Sequence, residues 1–266
     1  MKIKSILIFL ISATFCFNLI NIHSLASEDT SLIDIDALKS YSIISEYSED
    51  VTGDNIKDRI LLLAMNLENT NNIKSSIKIC VVDGITSKYV IKCPGYFDSG
   101  YDPKISFGDI NKDGVKDILI SINSGGSCNF SFENILSFKD LIPYEIIDSK
   151  KFNRGLNYIV TLKDNYYYEV KNLELNKLYG LKLTNPYKYP NAYDSKGNLT
   201  STVIGSYIPG YYKTELADVD NDGFIELVTY QKIIGFSNNN TIAIAEGIFK
   251  YENGSLQLKD LKIVSV

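Results

Sequence analysis

Three times along this chain of 266 residues, a nine-residue loop dense in Asp, Asn and Gly runs directly into an apolar, β-branched stretch. The first loop is Asp50-Val51-Thr52-Gly53-Asp54-Asn55-Ile56-Lys57-Asp58, before residues 60–65. The second is Asp109-Ile110-Asn111-Lys112-Asp113-Gly114-Val115-Lys116-Asp117, before residues 118–122. The third is Asp218-Val219-Asp220-Asn221-Asp222-Gly223-Phe224-Ile225-Glu226, before residues 227–230. The first two start 59 residues apart and the last two 109, close to twice a repeat of about 55. A unit lacking the loop is therefore expected between them, around residues 157–183. β-branched and aromatic runs separated by Asn, Asp, Gly and Ser clusters recur along the chain while helical periodicity stays weak, which indicates an all-β domain.

The loops also carry a chemistry. Ca²⁺ is a hard cation that takes six to eight oxygens from carboxylates, amides and carbonyls. Oxygen-bearing side chains at positions 1, 3, 5 and 9 can surround one point, and a residue tolerant of positive φ at position 6 makes the sharp turn. Position 7 is expected to turn its apolar side chain into the core and its carbonyl toward the ion. The second loop meets every requirement through Asp109, Asn111, Asp113, Asp117 and the Val115 carbonyl. The third does so through Asp218, Asp220, Asp222, Glu226 and the Phe224 carbonyl. The first is looser: Asp50, Asp54 and Asp58 are joined by Thr52 at position 3 and the Ile56 carbonyl, with Asn55 at the turn. The plain alternative is an Asp/Asn/Gly turn that needs no metal. An EF-hand is excluded, because position 12 is Leu61, Ile120 or Thr229 where that motif needs Glu, and a strand follows where it needs a helix.

The Phe107-Gly108-Asp109 start, the Asp-x-Asn-x-Asp-Gly-x-x-Asp loop and the Ile118-Leu119-Ile120 run resemble the FG-GAP/VCBS repeat of integrin α-subunit propellers and many secreted bacterial proteins. That resemblance implies an all-β fold, a β-propeller-like array of about four four-stranded units, complete or partial, with each loop joining the first two strands of a unit. It covers three segments well and residues 150–210 poorly. By the same resemblance, residues 105–109, 117–123, 129–137 and 143–148 are the four strands of the second unit.

The beginning of the chain reads differently. Lys2 and Lys4 precede an apolar run over residues 5–22, and Ser24-Leu25-Ala26 offers small residues for cleavage. Residues 1–26 read as a secretory signal peptide, with a retained anchor as the competing reading and residues 27–266 as a single domain. Its removal takes away His23, the one histidine. Ser-His-Asp, Cys-His and His-zinc catalysis are thereby excluded from the mature chain. It leaves 25 basic against 32 acidic side chains, a net charge of −7 that disfavours nucleic acid and anionic membranes. Export makes a Cys80–Cys93 disulfide plausible, with Cys128 left over; buried free thiols are the alternative.

Together these readings give a secreted or cell-surface calcium-binding module, not an enzyme, whose partner is a protein or a carbohydrate. The alternatives are a carboxylate-only hydrolase acting on polysaccharide and a structural envelope or coat component. Tyrosine is abundant, with 19 residues against no Trp. Tyr166, Tyr167, Tyr168, Tyr187, Tyr189, Tyr193, Tyr207, Tyr211 and Tyr212 in the middle third suit either a platform for sugar or peptide binding or half-buried strand faces.

Overall fold

The structure is a computed structural model that describes residues 39–66, 72–126, 129–185, 192–200, 204–207, 209–235 and 240–266. The proposed leader, Cys128, Tyr187 and Tyr189 lie outside the described residues. The fold is all-β. Strands β1 (Ser42–Glu49), β2 (Asp58–Asn66), β3 (Ile73–Val82), β4 (Tyr89–Lys92), β5 (Gly100–Gly108), β6 (Asp117–Asn123), β7 (Ser131–Ser137) and β8 (Tyr144–Glu145) form one antiparallel sheet. Strands β9 (Tyr158–Lys163), β10 (Tyr167–Asn172), β11 (Lys177–Lys182), β12 (Ile204–Tyr207), β13 (Lys213–Ala217), β14 (Glu226–Ile234), β15 (Thr241–Glu252) and β16 (Ser255–Ser265) form a second. Among the described residues neither sheet closes on itself. A single turn of helix, α1 (Ser149–Phe152), connects them, with Asp148 accepting from the Lys151 N–H at its start.

Within the sheets the strands fall into antiparallel meanders. Each of the three Asp-rich loops joins the first and second strand of one: β1–β4, β5–β8 and β13–β16. The motif-free segment also forms strands. Its β9, β10 and β11 make a three-stranded meander, and β12 adds to the outer side of β9. Two long strands are shared between neighbours. The start of β3 pairs with β5 and its end with β4, while the start of β14 pairs with β13 and its end with β12. Residues 143–148 do not make the full fourth strand expected of them: only Tyr144 and Glu145 pair, before the chain turns into α1.

Packing explains why the strand sequences run apolar without alternation. Ile118, Ile120 and Ile122 point to one face of β6, against Ile60, Leu62, Ile77 and Ile79 of the first meander. Leu119 points to the opposite face, in a larger cluster with Ile135, Tyr158, Leu227 and Phe249. The second meander is thus covered on both faces, which selects continuous β-branched runs. Each buried Ile or Leu contributes about 1.5–3 kcal/mol relative to an exposed one. Tyr168 and Tyr211 are fully buried in this core, so these tyrosines do not form an exposed platform.

The proposed disulfide is absent. Cys80 faces Ile91 across the β3–β4 ladder, and Cys93 lies two residues further on. Cys80 packs beside Leu61 and Leu63, where burial pushes its thiol up to about 12, while Cys93 is exposed; both are free.

One buried acid sits in the middle of the structure. Glu133 of β7 accepts from the hydroxyls of Ser121 and Ser131 and holds α1 through Asn153. Its N–H donates to Asn153 Oδ1 at 2.7 Å, and Asn153 Nδ2 donates to the Glu133 and Ser149 carbonyls at 2.7 Å each. Burial pushes its carboxyl above the ordinary range, against the hydroxyl donors, which pull it down. A carboxyl raised on folding stabilises most below its unfolded pKa, and that contribution is lost as pH rises through the folded value. Glu133→Gln should therefore gain melting temperature relative to wild type as pH rises from 5 to 8, by a few degrees. Parallel melts at each pH, with a constant difference between the two proteins, would contradict this.

Candidate metal centre

The three loops share one backbone path although their sequences differ. Each turns left-handed twice, at position 4 (Gly53, Lys112, Asn221; φ +87°, +64°, +58°) and at position 6 (Asn55, Gly114, Gly223; φ +67°, +85°, +87°). Position 6 was legible in the sequence; position 4, where Lys112 adopts a conformation disfavoured for its type, was not. Side-chain acceptors hold the path. The first acid of each loop accepts from the position 6 N–H, at 2.8 Å (Asp50), 2.9 Å (Asp109) and 3.0 Å (Asp218). The fifth accepts from the position 7 N–H, at 2.8 Å (Asp54), 3.0 Å (Asp113) and 2.9 Å (Asp222).

The acid at position 9 is buried in all three loops and reaches back to the loop's beginning. Asp58 Oδ2 accepts from Val51 and Thr52 N–H, Asp117 Oδ2 from Ile110 and Asn111 N–H, and Glu226 Oε2 from Val219 N–H. What differs is the second oxygen. Asp58 Oδ1 accepts from Gly84 N–H at 3.1 Å and Thr52 Oγ1 at 3.3 Å, so the first loop is closed by the chain's own donors. Asp117 Oδ1 is buried without a hydrogen-bond partner. Glu226 Oε1 also lacks a hydrogen bond, but the Lys250 ammonium stands 3.2 Å from it, near enough for charge pairing without hydrogen-bond alignment.

Electrostatics follow these surroundings. Burial pushes Asp117 up to about 7; backbone N–H groups oppose the shift, and Asp113 and Asp109 add to it. Asp58 is also raised by burial, against four hydrogen bonds that lower it. Lys250 is raised, first by Asp220 and then by Asp222 and Glu226. Its Nζ lies 2.6 Å from Asp220 Oδ2 and 3.2 Å from Asp222 Oδ2, and its side chain is only 19% exposed. Around this ammonium Asp218, Asp220 and Asp222 bring three carboxylate oxygens within 4.8 Å of one another. The acids of the second loop are spaced more widely. There Asn111 takes position 3 and donates to Asp113 Oδ2 and Tyr144 OH. Lys139 approaches from outside, donating to the Asp113 carbonyl at 2.9 Å and lying 3.7 Å from its carboxylate.

The loops nest against one another. A Cβ on Gly53 would come within 2.5 Å of Val115 Cγ2, so position 4 of the first loop abuts position 7 of the second. Lys112 Nζ lies 4.3 Å from the centre of the Phe224 ring, which repeats the relation between the second and third loops. The second and third loops are therefore neighbours, and the motif-free strands do not come between them. The role expected of position 7 holds only in the second loop, where Val115 is buried and packs on Gly53; Ile56 and Phe224 are exposed. Position 2 supplies the core side chains instead, through fully buried Val51 and Ile110, while Val219 stays exposed. Gly84, Lys139, Tyr144 and Lys250 were not recognised from the sequence, because each reaches its loop from another part of the sheet.

Residues 156–264 match the family model described as the YybI C-terminal domain, a range that coincides with the second sheet. The chain is 27% identical over 235 residues to the uncharacterized protein YybI of Bacillus subtilis (strain 168), spanning 86% of this chain and 87% of that protein. No solved structure matches the chain.

Nesting makes Gly53 a sensitive position. Gly53→Ala should cost about 1–3 kcal/mol, from the left-handed φ and from overlap with Val115. Adding Val115→Ala should return part of that loss in a double-mutant cycle. Additive losses in denaturant titrations would count against direct contact.

Proposed function

We propose that this chain is an exported, calcium-stabilised β-repeat module that binds a protein or carbohydrate, with its meanders set as an open propeller-like array. The observation that carries the calcium reading is the unpartnered, fully buried Asp117 Oδ1. A buried carboxylate oxygen without a donor costs about 1–3 kcal/mol or more, and a cation removes that cost. In the second loop Asp109, Asn111, Asp113, Asp117 and the Val115 carbonyl would hold the ion. Bound Ca²⁺ would supply charge neutralisation and cross-link the loop. The first loop, closed by Gly84 and Thr52, has its stability without an ion. The binding role rests on the resemblance of the loops to FG-GAP/VCBS repeats. A groove of about 780 Å³ beside α1, lined by Phe152, Arg154, Leu156, Phe249 and Leu256, offers a concave surface for it.

Chelation should lower the melting temperature by about 5–10 °C, the effect of losing a ligand present at roughly a hundred times its dissociation constant. Ca²⁺ should restore it, and Asp117→Asn should abolish the response. Superimposable melts of the wild type with chelator and with Ca²⁺ would overturn the calcium reading.

A further inference from the structure

The third loop has every oxygen the motif asks for, yet a cation from the chain itself already stands among them. Lys250 Nζ is 2.6 Å from Asp220 Oδ2, 3.2 Å from Asp222 Oδ2 and 3.2 Å from Glu226 Oε1. Glu226 is fully buried, and its Oε1 accepts no hydrogen bond, so this oxygen faces the site.

Strand register places the lysine there. On the β14–β15 ladder Leu227 pairs with Phe249, so the next rung brings Lys250 opposite Glu226. On β6–β7 Ile118 pairs with Leu136, which brings Ser137 opposite Asp117. On β2–β3 Arg59 pairs with Val82, which brings Asp83 opposite Asp58. The residue facing the last loop acid is thus Asp, Ser and Lys in the three meanders. Only the lysine carries a positive charge, and only its site has a cation within reach of three carboxylates.

We propose that Lys250 is the resident cation of the third loop and keeps Ca²⁺ out of it, so that the protein takes up one ion, in the second loop. A tethered ammonium is held at high effective concentration by the β15 backbone, which a free ion must overcome to displace it. It also satisfies charge but not the geometry of six to eight oxygens, so its removal should expose a competent Ca²⁺ site. This inference rests on the calcium reading of the loops, and the test separates the two.

Calcium titration calorimetry on the full mature chain and its variants reads the number of ions. Wild type should bind one, Asp117→Asn none, Lys250→Met two, and the double variant one; Lys250→Arg, which keeps the charge, should stay at one. Two ions on wild type would overturn the lysine proposal and leave the calcium reading standing, and so would one ion on both wild type and Lys250→Met. No ion on wild type but one on Lys250→Met would overturn the second-loop site and keep the lysine proposal. No ion on either would overturn both. If Lys250→Met is unfolded in chelator, as four unneutralised acids would favour, refolding on addition of Ca²⁺ is the supporting result. Failure to refold at saturating Ca²⁺ would overturn the proposal.

Discussion

The structure depends on a buried carboxylate that closes each Asp-rich loop. Asp58, Asp117 and Glu226 stand at the first residue of a central strand and take N–H groups from the start of the loop before it. One side chain thereby fixes where the loop ends and where the strand begins. Because the acid is buried, its charge must be answered. The three loops answer it in three ways: backbone and hydroxyl donors at Asp58, an open oxygen at Asp117 and a lysine at Glu226. The loops are alike in path and different in charge, since the path is set by one oxygen of the acid and the charge balance by the other.

Much of this was legible in the sequence, and the reason is local. The apolar runs at 60–65, 118–122 and 227–230 lie within strands of the structure because β-branched runs bounded by Asp/Asn/Gly clusters have few other options. The left-handed turn at position 6 could be read from Gly114 and Gly223. The motif-free segment was expected to form a strand unit, and its β9, β10, β11 and β12 do pair together.

What could not be read is set by pairing across distance. Lys250 lies 24 residues beyond Glu226 in the chain, and only the register of β14 on β15 brings it to the loop. The same holds for Gly84 at Asp58 and for Ile91, in place of Cys93, opposite Cys80. Position 7 misled at Ile56 and Phe224, because an apolar residue in a loop suggests the core, whereas both are exposed and the Phe224 ring serves Lys112 of the neighbouring loop. The adjacency of the second and third loops was hidden for a further reason: linear spacing suggested a unit between them, and the chain attaches that unit through β12 to the end of β14 away from the third loop.

The cluster holding Leu119 and Ile135 has a consequence for how the molecule can be divided. It joins those residues and Ile110, Ile146 and Ile147 of the first half to Tyr158, Leu227 and Phe249 of the second. The boundary drawn at residue 156 by sequence similarity therefore runs through a single oily interior. A proteolytic cut there would sever the backbone and leave the halves held together by side chains. A fragment beginning at Leu156 would carry a bare greasy wall into water, prone to self-association until a matching first half covered it.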